Sequence, residues 1–304
     1  MLRYIIKRLL IGIITLWALV TLTFILVHRM PGSPFEAENL SGSTVAQLEE
    51  AYGLNEPEWK QYLIYMENLF HGELGISYKK NISVNTLIAR GAPYTIRVGL
   101  ISFAISAVIG IAIGIWMSVT KNQVIKNILL AYATLGVSVP AFVIALYLML
   151  IFGVWLSAVP IVGLTTPAHY ILPVAAQAFG PIATIARLTK STYTEATQMD
   201  YVIMAKAKGL SNFQIMFKHV LKNALIPVVT YFGPAIAFTV TGSFVIEQIF
   251  SIPGIGREFT NAITNRDYTV VLGFSVFIGA LIIVANRVVD ILCSLIDPRI
   301  KLTD

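Results

Sequence analysis

A long stretch without the charged residues Asp, Glu, Lys and Arg is the feature that most restricts how this chain folds. No Asp, Glu, Lys or Arg occurs between Lys126 and Arg187. An α-helix needs about 20 residues to cross the hydrocarbon core of a bilayer, so this stretch is long enough for two crossings. Pro160 and Pro167 bound a segment rich in residues that interrupt helices. The sequence therefore predicts two spans, at about 128–156 and 170–187.

Four further stretches of helical length lack charged residues and raise the number of predicted spans to six. They are Leu9–Val27, Val98–Thr120, Asn223–Ile246 and Tyr268–Asn286. The composition agrees, because only 12% of the 304 residues are charged, whereas soluble domains carry roughly 25%. We expect an all-α, multi-pass membrane protein with six transmembrane helices. A soluble enzyme and a nucleic-acid-binding protein are disfavoured.

The distribution of basic residues predicts the orientation in the membrane. With the N-terminus inside, most of the 22 Lys and Arg residues lie in cytoplasmic tails and loops, as the positive-inside rule requires. We therefore expect both termini in the cytoplasm and a location in the cytoplasmic or inner membrane. The first apolar stretch is longer than that of a signal peptide and no Ala-x-Ala site follows it, so we expect it to remain as the first span.

The chain divides into three predicted parts. Residues 1–28 form the tail and first span, residues 29–95 form a large extracytoplasmic segment, and residues 96–304 form the transmembrane core with spans two to six. In the outer segment, Asn55-Glu-Pro-Glu58 predicts a helix start with an Asn cap. Trp59, Leu63, Met66 and Phe70 follow on one helical face. This face either packs on the outer membrane surface or docks an external partner.

The cytoplasmic loop 188–222 is the most informative connection. Thr194–Ala207 predicts a helix, and Gly209 supplies a position that tolerates positive φ and ends it, followed by the apolar Leu210. Ser211-Asn-Phe-Gln214 has the form of a capping box, which predicts a second helix toward Leu225. Such a protrusion fits a cleft on a cytosolic partner, or it lies as an amphipathic pair on anionic lipid.

Motifs for catalysis are absent from the sequence. There is no Gly-Lys dipeptide and hence no phosphate-binding loop, no H-E-x-x-H and no G-x-S-x-G. The four histidines are scattered, and the single cysteine, Cys293, allows no intrachain disulfide. We expect no catalytic residue, no metal site and no cofactor bound by this chain itself.

Small polar residues are frequent in the fifth span. They include Thr239, Gly242 and Ser243, with Glu247 at the edge of the span. Small residues allow helices to pack closely. The alternative is a polar stripe that lines a substrate pathway. The span centres carry no carboxylate, which disfavours a proton-coupled carrier.

The inner loop resembles the cytoplasmic EAA motif of ATP-binding-cassette (ABC) importer permeases. The resemblance rests on Tyr201-Val-Ile-Met-Ala-Lys-Ala-Lys-Gly-Leu210, followed by His219-Val-Leu-Lys-Asn223 and Pro227. Three other stretches are similar to the oligopeptide and dipeptide branch, first-permease type: Met1–Pro34, Gly72–Ser77 and Glu247–Gly256. Together the four matches cover essentially the whole chain. Ile203 and Met204 stand where the motif has Glu and its first Ala, and Lys222 stands where it has a later Pro.

This resemblance implies the type I ABC importer permease fold and a subunit that forms half of a peptide translocation pathway. It implies a coupling loop formed by Tyr201, Ala205, Ala207, Gly209, Leu210, Ser211, His219 and Asn223. It also implies a second homologous permease as partner in a heterodimer, two cytosolic ATP-binding subunits that hold ATP and Mg, and an extracytoplasmic peptide-binding protein. Peptide is the expected substrate, membrane lipid the surroundings, and nucleic acid is not a partner.

Other functions remain open at this point. The same ABC architecture serves nickel chelates, glutathione and other small solutes. A gradient-driven secondary transporter or a channel is a second class of function, and a membrane-embedded enzyme is a third.

Overall fold

The structure is a computed structural model that describes residues 2–29, 35 and 42–296. Within these residues the chain is almost entirely helical. The α-helices are α1 (Leu2–His28), α2 (Gly42–Ala51), α3 (Glu58–Phe70), α4 (Val84–Val119), α5 (Gln123–Ser138), α6 (Ala141–Leu148), α7 (Ile171–Thr197), α8 (Asp200–Ala207), α9 (Asn212–Gln214), α10 (Leu221–Val240), α11 (Phe244–Ile249), α12 (Ile255–Thr264) and α13 (Tyr268–Ile296). A 3₁₀ turn, Pro167–Tyr170, precedes α7, and π-helical turns extend α6 over Met149–Trp155 and join α9 to α10 over Ile215–Val220.

Five helical segments of the described chain are long and apolar enough to cross a membrane. They are Leu10–His28, Val84–Val119, Pro167–Thr197, Asn212–Ile249 and Tyr268–Val288. A sixth crossing results if α5 and the extended α6, which are bent by 111° at a short break, form one span. The break contains Pro140, which has no amide proton and restricts the residue before it. The prediction of an all-helical membrane fold is thus confirmed, with five or six crossings.

The described residues form two compact units. The first takes in the described residues up to Thr95 and Pro253–Ile283, and the second takes in Ile96–Ile252 and the described residues from Val284 onward. In the first unit, side chains from α1, α4, α12 and α13 form a core that includes Val27, Val84, Leu87, Ile255 and Phe274. Close contact of α4 with the start of α12 is further fixed by Thr95, whose buried hydroxyl accepts the amide proton of Ile255 at 2.9 Å.

A short hairpin in the first unit is fastened to a buried carboxylate. Ile76 and Ser83 form an antiparallel bridge, and the side chain of Asp267 accepts hydrogen bonds from the Ser77 hydroxyl at 2.5 Å and from the amide of Tyr78 at 3.2 Å. A nearby ion pair joins Lys80 to Glu258 at the surface. Asp267 therefore holds a segment that lies some 190 residues away in sequence.

Helix α3 begins differently from the sequence prediction. Its N-cap is Pro57, in extended backbone and without a side-chain cap, so the predicted Asn55 cap is wrong. Glu58 is the first helical residue and provides the acidic side chain of the first turn, where the helix dipole favours negative charge. The predicted amphipathic helix itself is confirmed.

Helix α7 is the centre of the second unit and packs against α5, α6 and α10. Glycines make the close approaches possible. A Cβ on Gly110 would lie 2.7 Å from the Cβ of Ile185, and one on Gly114 would lie 2.5 Å from the Cβ of Thr189. Because these glycines are four residues apart, they form one flat strip on α4 against which α7 lies.

Candidate functional site

The inner loop starts with a break in the helix rather than with a continuous helix. Helix α7 ends at Thr197, Met199 is extended with φ −75° and ψ 150°, and α8 begins at Asp200. The predicted single helix Thr194–Ala207 is therefore wrong. The hydroxyl of Tyr201 donates a 3.1 Å hydrogen bond to the carbonyl oxygen of Ala196 across this break, which fixes the angle at which α8 leaves α7.

The end of α8 confirms the predicted glycine turn. Gly209 has φ +76°. Its amide donates to the carbonyl of Lys206 at 2.9 Å, and the amide of Leu210 donates to the carbonyl of Ala205 at 3.3 Å. This pair of bonds is the Schellman motif, which requires a left-handed residue at the position that Gly209 occupies. The turn directs the chain from α8 into α9.

The start of the second helix is confirmed as well. The Ser211 hydroxyl accepts the amide proton of Gln214 at 3.3 Å, and the Gln214 side chain accepts the amide proton of Ser211 at 3.3 Å. The helix then passes through the π-helical turn into α10. Further on, the side-chain amide of Asn223 donates to the backbone carbonyl of His219 at 2.9 Å. This hydrogen bond joins two of the predicted loop residues and stiffens the beginning of α10.

A small apolar core supports the loop from the membrane side. Val202 and Ala205 of α8 are buried in it together with Tyr193, Ile215 and Val220. Ala205 is therefore a packing residue beneath the loop, whereas Ala207 is exposed. This core therefore joins α8 to the two long helices α7 and α10.

The outward surface of the loop is apolar at its centre and basic around it. The side chains of Ile203 and Met204 are 62% and 60% exposed, and Phe213 and Phe217 are exposed with ring centroids 4.5 Å apart. Exposed lysines surround them: Lys206, Lys208, Lys218 and Lys222. Ile203 and Met204 stand where the EAA motif has Glu and its first Ala. Both are exposed on α8, and we call this exposed part of α8 the tip of the inner loop.

The four residues considered for the pathway are largely internal. Thr239 is buried, its hydroxyl donates to the carbonyl of Ala235 at 2.9 Å, and its own carbonyl accepts from the side chain of Gln177 at 2.8 Å. Gly242 has φ +80° and ends the helix, and Ser243 caps α11 by accepting the amide proton of Ile246 at 3.4 Å. Glu247 is buried on α11.

A polar stripe on α7 was not recognised in the sequence. Its residues recur at intervals of about one helical turn, and none of them is buried: Thr184, Arg187, Ser191, Thr194 and Glu195 of α7, followed by Gln198. With Leu130 and Thr134 of α5, most of them line an open cavity of about 490 Å³. The helical period of these polar residues could have predicted the stripe. In the sequence we considered only single charged residues in the spans and did not use this period.

Among the described residues, no group of three His, Cys, Asp or Glu side chains is close enough to hold a metal ion.

Family comparisons cover nearly the whole chain. Residues 1–99 match the N-terminal family of binding-protein-dependent transport system membrane components, and residues 110–302 match the binding-protein-dependent transport system inner membrane component. The chain is 43% identical over 305 residues to the oligopeptide transport system permease protein OppB of Haemophilus influenzae, which covers 99% of this chain and all of the relative. It is 41% identical over 304 residues to the dipeptide transport system permease protein DppB of Bacillus subtilis, with 99% of each chain covered.

Solved structures support the same fold. A chain of the MetNI methionine ABC transporter in an inward-facing conformation aligns with a TM-score of 0.59 at 18% identity, covering 69% of this chain and 96% of the other. A chain of an amino acid ABC transporter with histidines aligns with a TM-score of 0.53 at 17% identity, covering 71% and 95%. At this identity the likeness concerns the fold, and it confirms the predicted ABC importer permease fold.

The family matches confirm the prediction of a membrane subunit that is not itself an enzyme. They also agree with the multiple spans and the folded inner loop described above. The chain belongs to the binding-protein-dependent transport family, as a multi-pass inner membrane component.

Proposed function

We propose that this chain is the transmembrane permease subunit of an ATP-driven uptake system for oligopeptides or dipeptides. The proposal rests on full-length relatives that are named as oligopeptide and dipeptide permeases, at about 40% identity. The helix–turn–helix form of the inner loop, with its own small core and exposed apolar side chains, supports this role. The chain forms one half of the translocation pathway.

The proposed assembly contains four further subunits. A second homologous permease completes the pathway as a heterodimer, and two cytosolic ATP-binding subunits hold ATP and Mg. An extracytoplasmic peptide-binding protein delivers the substrate. Because this chain has no phosphate-binding loop, the energy for transport comes from the ATP-binding subunits.

The exposed apolar tip of the inner loop is the observation that carries the coupling role. Ile203 and Met204 present apolar surface to the cytoplasm, and such a surface is stabilised by docking into a partner's cleft. Movement of that cleft then pushes α8. The shared core of α7, α8 and α10 passes this movement to the helices of the pathway.

The polar stripe of α7 is proposed to line the cytoplasmic end of this chain's half of the pathway. Thr184 and Arg187 lie within the predicted span, where polar side chains are costly toward lipid. Ser191, Thr194, Glu195 and Gln198 follow in the inner loop, so the stripe would lie where the pathway opens to the cytoplasm. Thr239 and Glu247 are internal and support the passage from behind. Gly242 and Ser243 lie at the break between α10 and α11, where the chain changes direction beside the proposed passage.

Cysteine modification tests the pathway. Ser191→Cys in a Cys293→Ser background should react with a charged methanethiosulfonate reagent and lose uptake, because the added cation blocks the passage. Val108→Cys is the matched control, since Val108 is exposed on the apolar surface of α4. Unchanged uptake after complete modification of Ser191→Cys would contradict the assignment.

Purification from native membranes after cross-linking tests the assembly as a whole. Mass spectrometry should find a second permease, one or two proteins with phosphate-binding loops, and a peptide-binding protein. If the chain is recovered alone or as a homo-oligomer, the ATP-driven function is wrong. The chain should then be tested as a channel or a gradient-driven carrier.

A further inference from the structure

Helix α3 of the predicted extracytoplasmic segment exposes most of its apolar stripe. The stripe consists of Trp59, Leu63, Met66 and Phe70, of which only Met66 is half-buried. Trp59 is 66% exposed and Phe70 is 85% exposed, and none of the residues of α3, all of which are described, is fully buried. A water-exposed amphipathic helix would show the opposite arrangement. Something apolar therefore covers this stripe in the membrane-bound protein.

The contacts of α3 with α1 show where the helix lies. The hydroxyls of Tyr62 and Thr21 are 2.8 Å apart, and the ring of Tyr62 packs edge-on against Phe24 with centroids 5.3 Å apart. The side-chain oxygen of Gln61 lies 3.0 Å from Nε2 of His28. Helix α3 is thus fastened to α1 through three side chains on one face of α1.

These contacts lie at membrane depth. The span of α1 ends at His28, and Thr21 precedes that end by seven residues, which corresponds to about 10 Å along the helix axis. Next to the contact face, α1 exposes Leu22, Ile25 and Leu26, as expected of a surface in contact with lipid. Because Tyr62 adjoins Leu63 in α3 and contacts Thr21 and Phe24, this part of the stripe lies near the level of these α1 residues.

We propose that α3 lies in the outer boundary of the bilayer, with Trp59, Leu63, Met66 and Phe70 among the lipid acyl chains. Interfacial amphipathic helices bury their apolar face by about 5–10 Å, which matches the depth of the contacts with α1. Tryptophan is also favoured at this boundary. Helix α3 therefore anchors the extracytoplasmic segment to the membrane surface.

Fluorescence quenching tests this placement in the full chain, purified with its partner subunits and reconstituted in lipid nanodiscs. In a Cys293→Ser background, Leu63→Cys carries an environment-sensitive fluorophore on the stripe. Glu58→Cys carries the fluorophore on the same helix, at a position about 140° around the helix axis from residue 63. Both side chains are exposed, so neither substitution disturbs a core. Trp59→Cys provides a second position on the stripe.

Lipid labelled with a nitroxide near the headgroup should quench the Leu63→Cys and Trp59→Cys fluorophores at least about twofold, as expected of side chains at the acyl boundary. Aqueous iodide should quench only the Glu58→Cys fluorophore. Quenching of the stripe positions by iodide and not by lipid would overturn the proposal. Protection of the stripe from both quenchers would also overturn it, because a protein partner then covers the stripe.

Discussion

The hydroxyl of Tyr201 and the carbonyl oxygen of Ala196 are joined by a 3.1 Å hydrogen bond across the break between α7 and α8. Ala196 lies in the last turn of α7, where carbonyls have no partner within the helix, and the same oxygen also accepts the amide proton of Met199 at 3.5 Å. The bond from Tyr201 fixes the direction of α8, and hence of the exposed tip at Met204. The angle of the protrusion therefore depends on a single side-chain contact in addition to the core beneath it.

Replacing Tyr201 by Phe should weaken coupling without preventing membrane insertion. The lost hydrogen bond corresponds to about 0.5–1.5 kcal/mol, so we expect uptake to fall by up to about tenfold. Expression and span topology should be unchanged, because the ring remains in place. Uptake of labelled substrate, normalised to the amount of protein in the membrane, is the measurement. Tyr147→Phe is the control, since Tyr147 is exposed on α6; an equal fall in both variants would exclude the proposed role.

Substitutions at Gly209 should distinguish the effect of backbone strain at positive φ from the effect of steric crowding by a side chain. A Cβ at this position meets no atom within 4 Å, but φ is +76°, which costs an ordinary residue roughly 1–2 kcal/mol. Gly209→Val should leave insertion intact and uncouple uptake from ATP hydrolysis. Gly209→Asn should retain much of the uptake, because Asn tolerates positive φ. Normal uptake by Gly209→Val at normal expression would show that the turn has no mechanical role.

The packing of α4 on α7 should not tolerate larger side chains at Gly114. A Cβ there would lie 2.5 Å from the Cβ of Thr189 and 2.7 Å from the carbonyl oxygen of Ala186. We expect Gly114→Leu to destabilise the protein by about 1–3 kcal/mol or more. Thermal unfolding in detergent would show a lower midpoint. Val108→Leu adds bulk on the exposed side of the same helix and should unfold like the unchanged protein; equal midpoints for all three proteins would contradict the packing described.

Loss of the Asp267 carboxylate should loosen the extracytoplasmic hairpin. Asp267 is buried and accepts from the Ser77 hydroxyl and from the amides of Tyr78 and Lys79. Its replacement by Ala leaves these donors without their acceptor, at about 1–3 kcal/mol. Hydrogen exchange of the Tyr78 and Lys79 amides should accelerate by about tenfold or more.

The ion pair of Lys80 with Glu258 offers a matched control for that experiment. Its side chains are 45% and 26% exposed, and exposed pairs contribute only about 0–1 kcal/mol. Glu258→Gln should therefore change the exchange of the hairpin amides little. If Glu258→Gln accelerated exchange as much as Asp267→Ala, the buried carboxylate would not be what holds the hairpin.

Local signals explain which parts of the loop could be predicted. The turn at Gly209 and the Ser211–Gln214 capping box depend on backbone geometry and on hydrogen bonds between near neighbours. The local sequence is therefore sufficient to predict both. The break before Asp200 has no such signal, because Gln198 and Met199 are neither Gly nor Pro. The break results from the packing of α8 on the small core beneath it, and this tertiary packing cannot be predicted from the local sequence.

Contacts between distant residues account for most of what the sequence did not predict. Apolar stretches predict spans, but they do not reveal that Asp267 holds Ser77 or that Gln177 holds the carbonyl of Thr239. Thr239 was a reasonable candidate for the pathway as a polar residue in a span. Its burial is decided by tertiary packing.

Photo-cross-linking from Met204 in living cells tests whether the inner loop couples this chain to an ATP-binding subunit. A photoreactive amino acid at this position replaces an exposed side chain of α8, and the same amino acid at Val108 reports on the exposed apolar surface of α4. We predict a covalent adduct between the Met204 position and an ATP-binding subunit, and no such adduct from Val108. If Met204 cross-links only to lipid, or to no protein at all, the inner loop is not the coupling element.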